Sequence, residues 1–159
     1  MSEEMNLKQA RLVYRTFCNA LDGNDWKYRV DDENLKIECG AQGDDLPMEI
    51  GIHMDVERQL LMILSRLPFV IAEDKRIELA VAVNAVNNIM VDGCFDFDIN
   101  AGHMFFRVTN SFLDSVMSED VCLELLYKAC QTIDNYNDKF LMISKGMLSI
   151  EQFLQSVNN

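Results

Sequence analysis

Positively charged residues are scarce in this sequence. Lys and Arg number 14 against 26 Asp and Glu, which gives a formal net charge of -12 at pH 7. The acidic residues are spread along the whole chain, and the sequence shows no stripe of Lys or Arg. Because nucleic-acid binding depends on clustered cations that displace counterions from phosphates, we expect no nucleic-acid partner. Anionic membrane surfaces are disfavoured for the same reason, whereas protein partners with basic patches are compatible with this charge.

Long hydrophobic runs are also missing. The longest apolar stretches, such as Leu60–Leu64 and Leu79–Val83, are about a quarter of the roughly 20 residues that span a bilayer. The N-terminal segment Met1–Asn6 is acidic and polar, where a secretory signal has a basic start followed by an apolar run. We therefore expect no membrane span and no export signal, and we predict a cytoplasmic bacterial protein.

Cysteine and histidine do not occur in patterns that hold metals. The five cysteines are odd in number and form no C-x-x-C pair: Cys18, Cys39, Cys94, Cys122 and Cys130. This usage predicts reduced thiols, with neither a disulfide framework nor a zinc site. Because His53 and His103 are the only histidines, we expect no stoichiometric transition metal and no cofactor. The glycine motifs that cradle phosphates are missing too, which disfavours nucleotide enzymes.

What the sequence does contain is typical of a globular protein. Hydrophobic residues make up 49% and charged residues 25%, unlike a disordered chain, and 159 residues suit one domain over 1–159. Apolar residues recur at helical spacing over residues 7–21, 73–90, 118–145 and from 149 onward. They alternate with polar residues over 26–30, 35–39, 48–56, 95–99 and 104–108. The prediction is an α+β fold, with an antiparallel sheet of about six strands and flanking helices.

The sixth predicted strand has two possible interpretations. Within residues 59–65 the segment Leu60–Leu64 is apolar at every position, which is typical of a strand covered on both faces or of a short helix. We favour the strand. Pro68 is expected to end it, because proline interrupts the hydrogen-bond ladder of a sheet.

The alternation of apolar residues predicts the register of the second hairpin. Aligning its two apolar faces places Phe97 opposite Phe106 and Asp96 opposite Arg107. The connecting loop then consists of the two residues Ala101–Gly102. A register wrong by one residue would instead bury the polar face of one strand.

Two groups in this hairpin are candidates for catalysis or metal binding. Cys94 and His103 lie on its two strands, but the predicted register separates them by about six residues or ~20 Å, too far for a nucleophile and its base. Asp96 and Asp98 share a strand face about 7 Å apart and could hold a hard cation. The other features of a calcium loop are missing, so a solvated face partly neutralised by Arg107 is the better interpretation. We expect no catalytic, cofactor-binding or metal-binding residue.

The order of these elements and several short strings resemble the YbjN-like family of proposed bacterial sensory-transduction regulators. The strings are Asp45-Leu46-Pro47, Glu57-Arg58-Gln59, Leu67-Pro68-Phe69, Glu73-Asp74-Lys75-Arg76, Asp92-Gly93 with Phe95-Asp96, Phe106-Arg107 and the run Asp134–Phe140. That family is similar in fold to class I type III secretion chaperones, which are acidic α+β proteins that dimerise and hold extended protein segments on apolar surfaces. The resemblance implies a homodimer with a protein partner, and it assigns no catalytic residue. Cys94 and Phe97 stand where Ser and Tyr are common in the family, so no hydroxyl chemistry is implied there.

Two hypotheses about function follow. The first is a non-enzymatic protein-binding or chaperone-like regulatory module, whose partner contributes an extended segment. The alternative is a small-ligand sensor domain with a pocket between the sheet and the helices. A large pocket lined by convergent polar groups would favour the sensor, and an exposed apolar groove would favour the protein-binding module.

An excess of apolar side chains predicts where a partner binds. If Leu61 and Ile63 face the core, the residues between and beside them must point out of the other face of the sheet. The helix predicted at 73–90 is apolar nearly all round and needs cover on a second side. We therefore predict a homodimer interface, or failing that a docking groove, on this strand and helix. Its residues are Leu60, Met62, Leu64, His53, Val83 and Val86.

Overall fold

The computed structural model describes residues 2–158 and contains four α-helices. They are α1 (Glu3–Asp22), α2 (Arg76–Ile89, preceded by a 3-10 turn at Glu73–Lys75), α3 (Glu119–Ser144) and α4 (Ile150–Val157). Ser2, Ser118 and Ser149 accept backbone hydrogen bonds at the starts of α1, α3 and α4, which satisfies donors that a helix leaves unpaired. The four helices predicted from apolar spacing are confirmed. Of the helices within residues 2–158, none is both long enough and apolar enough to cross a membrane.

Six strands form one antiparallel sheet. They are β1 (Tyr28–Asp31), β2 (Lys36–Gln42), β3 (Pro47–Asp55), β4 (Leu60–Val70), β5 (Cys94–Asp98) and β6 (His103–Ser111). Their order is β1-β2-β3-β4-β6-β5, so that β1 and β5 are the two edges. The predicted α+β fold is confirmed. The apolar segment that could have been a strand or a short helix is a strand, the first part of β4.

The helices cover one face of the sheet and leave the other open. Alternate side chains of β3 and β4 are buried, among them Ile52 and Ile63. α3 packs across β4 and β6, α1 packs against α3 and β3, and α2 packs against α3, α4 and β5. The side chains of β3 and β4 that point the other way are half-buried or exposed. We call this second side of the sheet the open face.

Asn87 of α2 closes the outer edge of β5. Its Nδ2 donates to the carbonyl oxygen of Phe95 and its Oδ1 accepts from the amide of Phe95, each at 2.9 Å. The Phe95 ring is buried and packs edge-on against Phe106 and Phe140, with ring centroids 5.1 Å apart in both pairs. Asn87 therefore takes the hydrogen-bonding positions that a further strand would use at this point of the edge.

The predicted register of the second hairpin is wrong by two residues. The observed pairs are Phe95–Phe106, Asp96–Phe105 and Phe97–Met104, in place of the predicted Phe97–Phe106 and Asp96–Arg107. The loop spans residues 99–102 and not two residues, because Asp98 Oδ1 accepts hydrogen bonds from two amides inside it. A shift of two residues keeps every side chain on its predicted face, so Phe106 is buried as expected.

β4 continues through Pro68 to Val70, which corrects the expectation that Pro68 ends it. The register between β4 and β6 shifts between Arg66 and Val70. A proline is tolerated there because it lies in an irregular stretch of the ladder where its missing N–H is not needed. On its other side, β4 pairs with β3 only as far as Leu64.

Asp96 and Arg107 form an ion pair although they are diagonal and not directly opposite. Arg107 Nε donates to Asp96 Oδ2 at 2.7 Å, and Arg107 Nη2 donates to Oδ1 at 3.1 Å. These hydrogen bonds hold the pKa of the Asp96 carboxyl below its usual value. Because the folded pKa is lowered, the pair stabilises the protein above the unfolded pKa, and this contribution is lost as pH falls through the folded one.

We expect Asp96→Asn to lower the free energy of unfolding at neutral pH by about 0.5–1 kcal/mol, since both side chains are half exposed. In acid, below the lowered pKa of Asp96, the wild type is itself protonated at this position, and the difference should disappear. Urea unfolding at neutral and acidic pH measures both values. Asp45→Asn, which removes an exposed carboxylate, is the matched control; a difference that persists in acid would contradict the assigned cause.

Candidate binding face

The open face carries the apolar strip that strand alternation predicts. β3 and β4 pair in the expected register, with His53 opposite Met62 and Gly51 opposite Leu64. Leu60, Met62 and His53 are half-buried, and the Leu64 side chain is 40% exposed. We call Leu60, Met62 and Leu64 the apolar strip. The structure therefore brings four of the predicted interface residues together on one surface.

The two helix residues of the predicted interface lie elsewhere. Val83 is 7% exposed and Val86 is fully buried, because the face of α2 that carries them packs into the core. These two residues are not available on the surface of the folded chain. The apolar residues that α2 does expose are Ile77, Val81 and Ile89.

Two adjoining cavities form a trough beside the apolar strip. The larger, about 610 Å³, lies over β1 to β4, and Gly40 and Gly51 contribute to its floor. The smaller, about 260 Å³, extends towards His53 and Met62. Because Gly51 and Leu64 line both cavities, the depression is continuous, and we call it the trough.

The trough leads into a cleft where β3 and β4 diverge. β3 pairs with β2 over Pro47–His53, but its pairing with β4 covers only Gly51–Asp55. At the point of divergence the buried Ser65 hydroxyl donates to the Glu49 carbonyl oxygen at 2.7 Å, in place of a backbone ladder bond. A cavity of about 380 Å³ opens beyond it and is lined by Pro47 and Pro68, the only two prolines of the sequence.

Cations line the trough although the chain as a whole is acidic. Lys27, Arg29 and Arg66 border the larger cavity together with two carboxylates, Glu38 and Glu49. Arg29 Nη2 donates to Glu38 Oε2 at 3.0 Å, so these two charges offset each other. Within residues 2–158, Lys27 and Arg66 form no ion pair with a carboxylate.

The Arg66 guanidinium lies against an aromatic ring and not against an acid. Its Nη2 is 2.8 Å from Nδ1 and 3.0 Å from Nε2 of His103, within hydrogen-bond distance of both ring nitrogens. The imidazole leaves the positive charge of Arg66 uncompensated. The trough is thus an apolar and locally cationic site on an acidic protein.

Sequence reasoning missed the residues that shape the trough. A signal was present for Gly40 and Gly51, because a glycine inside a strand marks a bulge or a close backbone approach. No signal could have placed Lys27 and Arg66 together, because they come from distant parts of the chain: Lys27 directly precedes β1 and Arg66 lies on β4.

The cysteine thiols are not activated for nucleophilic chemistry. Burial raises the pKa of Cys39 and Cys122 to about 12 and that of Cys130 to about 11. Desolvation also raises the pKa of Cys18 and Cys94. All five thiols are therefore protonated at neutral pH, whereas catalytic cysteines need a lowered pKa.

The other candidate catalytic and metal-binding groups do not form a site either. Cys94 pairs with Arg107, whereas His103 lies at the turn end of β6. The two residues are therefore about four positions, or ~13 Å, apart along the strands. Asp96 is engaged by Arg107. Among residues 2–158, no group of three or more His, Cys, Asp or Glu side chains is arranged to hold a metal ion.

The fold is similar to two solved structures. YbjN from E. coli, a proposed transcription regulator, superposes with a TM-score of 0.55 at 12% identity, over 82% of this chain and 88% of that one. A chain of the HopA1–SchA chaperone–effector complex superposes with a TM-score of 0.54 at 14% identity, over 80% of this chain and 95% of that one. No protein-family profile matches this sequence, and no curated protein matches it significantly. At these identities the likeness shows a shared chaperone-like α+β fold.

Proposed function

We propose that this protein is a non-enzymatic, chaperone-like module of the bacterial cytoplasm that binds a segment of another protein on its open face. The observation that carries this proposal is the apolar strip. Leu60, Met62 and Leu64 lie in a row on a sheet surface that no helix of residues 2–158 covers. Contiguous apolar surface left bare by the chain's own elements is typical of protein interfaces.

Two further observations support this function. The trough beside the apolar strip provides a concave surface in which a bound segment would lose more water than on a flat sheet. A protein of the same fold occurs in a chaperone–effector complex, which makes partner binding a documented use of this architecture. The protonated thiols and the dispersed acids favour a binding role over catalysis.

The sensor alternative is not favoured. It requires a pocket between the sheet and the helices, and that layer is filled by buried side chains such as Phe17, Ile63 and Phe140. The cavities described above open outward from the other face.

The function is tested by selecting linear peptides from a random display library on the wild-type protein. We expect binders whose affinity, measured with labelled synthetic copies by fluorescence anisotropy, depends on the apolar strip. Selection on a variant that lacks the strip should return none of the same sequences. If the library yields no binders, or only binders that the variant retains, the proposed function is wrong.

We also propose that the protein is a homodimer joined through α2. On its outward side, Ile77 is 70% exposed, Val81 is 45% exposed and Ile89 is also exposed. A stable helix of this hydrophobicity usually finds cover for such a surface. This interface differs from the predicted one, because it uses the side of α2 opposite to Val83 and Val86 and leaves the open face free.

We expect Ile77→Glu with Val81→Glu to raise the dimer dissociation constant by about tenfold or more, since two charges would be buried without partners. Light scattering across a dilution series measures this change. Val116→Glu, at another exposed valine, is the matched control and should leave the mass unchanged. A wild-type protein that is monomeric at high concentration would contradict the dimer.

A further inference from the structure

Two glycines in strand interiors expose backbone at the floor of the trough. Gly40 on β2 pairs with Glu49, and Glu38 pairs with Gly51 on β3, so the two glycines are diagonal neighbours on the open face. Each glycine leaves a gap in the side chains of this face, and the carboxylates of Glu49 and Glu38 lie directly across from the two gaps. Lys27, Arg29, Leu64 and Arg66 surround this floor.

The fold of this chain does not require glycine at either position. A Cβ atom at Gly40 would lie 3.5 Å from the Met48 carbonyl oxygen, and one at Gly51 would lie 3.7 Å from that of Leu64. Both distances are ordinary van der Waals contacts, and the glycines that adopt a positive φ are others: Gly93, Gly102 and Gly146. Glycine inside a strand weakens the sheet and typically marks a site where another backbone approaches closely. The two glycines therefore lower the stability of the sheet although the fold does not need them. We take this as a sign that a partner's backbone approaches the sheet at these positions.

The adjoining cleft limits how a partner can bind. Where β3 and β4 diverge, both carry unpaired strand edges, which would otherwise attract an added strand. Pro47 and Pro68 line these edges, and neither has an N–H to donate. Prolines at strand edges prevent such pairing. A partner in the trough is therefore held by contacts on the open face and not by insertion between β3 and β4.

The charges around the glycine patch indicate the chemistry of the partner. Arg29 is paired with Glu38, which leaves Lys27 and Arg66 against Glu49 alone. Lys36 adds a further cation beside the smaller cavity. On a chain with a net charge of -12, this local excess of cations selects a carboxylate-bearing segment over a basic one.

We infer that the trough binds an extended segment in which large apolar residues alternate with Asp or Glu. Its backbone crosses Gly40 and Gly51, its apolar side chains point to the apolar strip on β4, and its carboxylates point the other way, to Lys27 and Lys36. From Pro47 to His53, β3 spans about 20 Å, which matches about seven extended residues. This inference rests on the proposed function, because it names the segment that the open face takes.

Two synthetic fluorescein-labelled peptides of about eight residues test the inference. Both carry Leu at alternate positions; one has Glu and the other Lys at the positions between. We expect the Glu peptide to bind at least about tenfold more tightly at low salt, with an advantage that shrinks as salt is added. Equal or tighter binding of the Lys peptide overturns the inference.

Gly51→Val tests the glycine floor without removing any contact of the folded chain. Affinity for the Glu peptide should fall by about thirtyfold or more, because the new side chain occupies the space of the partner's backbone. The thermal midpoint should stay the same or rise, since valine suits a strand better than glycine. Wild-type affinity in this variant overturns the inference.

Lys36→Gln tests the carboxylate contact. It should weaken binding of the Glu peptide by about tenfold and reduce the salt dependence of that binding, whereas Lys145→Gln, at the exposed end of α3, should change neither. Equal effects of the two changes overturn the assignment of Lys36. If display yields peptides that need the apolar strip but the Glu peptide does not bind, this inference fails and the proposed function stands.

Discussion

Asn87→Ala is expected to lower the free energy of unfolding by about 2–4 kcal/mol, because it leaves two backbone groups of Phe95 without partners. Both hydrogen bonds join α2 to the edge strand β5 at a residue that is 2% exposed. Each buried donor or acceptor left unsatisfied costs about 1–3 kcal/mol, more than the small gain in helix propensity from alanine. Urea unfolding followed by circular dichroism measures the loss.

The neighbouring asparagine provides a matched control. Asn88 lies on the exposed side of the same helix, one residue further on. Asn88→Ala should change the free energy of unfolding by no more than about 0.5 kcal/mol. Equal effects at the two positions would mean that Asn87 does not hold β5. Asn87→Ala is also expected to increase self-association, because it exposes hydrogen-bonding positions at a sheet edge.

Replacing Met62 and Leu64 together by Thr is expected to weaken peptide binding to the open face by about a hundredfold, which corresponds to ~2.7 kcal/mol. These side chains form most of the apolar strip, and neither is part of the buried core. Threonine has the β-branched shape that strands favour but lacks most of the apolar surface of Met and Leu. The peptides selected on the wild type, measured by fluorescence anisotropy, provide the readout.

The same change should leave the fold intact, since the two positions lie on the uncovered side of β4. We expect the free energy of unfolding to fall by no more than about 1 kcal/mol. Leu113→Thr with Val116→Thr, which alters two exposed apolar residues before α3, is the control and should retain full binding. If binding survives in the Met62 and Leu64 variant, the partner site lies elsewhere, with the exposed side of α2 as the next surface to test.

Local patterns in the sequence were sufficient for the elements and for most side-chain faces. Helical spacing predicts the four helices, because a helix at the surface of a globular protein needs an apolar stripe that faces the core. Strand alternation places Met62 and Leu64 on the face opposite Ile63, since successive side chains of a strand point to opposite sides. The acidic charge disfavours nucleic-acid partners, and the spacing of the cysteines predicts no zinc site. Neither prediction depends on the fold.

Features that depend on distant parts of the chain were decided only by the tertiary structure. The hairpin register was missed because the Asp98 side chain lengthens the turn, an effect that alternation cannot reveal. Val83 and Val86 were assigned to a surface because a uniformly apolar helix does not indicate which side faces the core. The trough needs β1 and β4 on either side of two glycines, and the order of strands in a sheet is set by packing between elements rather than by local sequence.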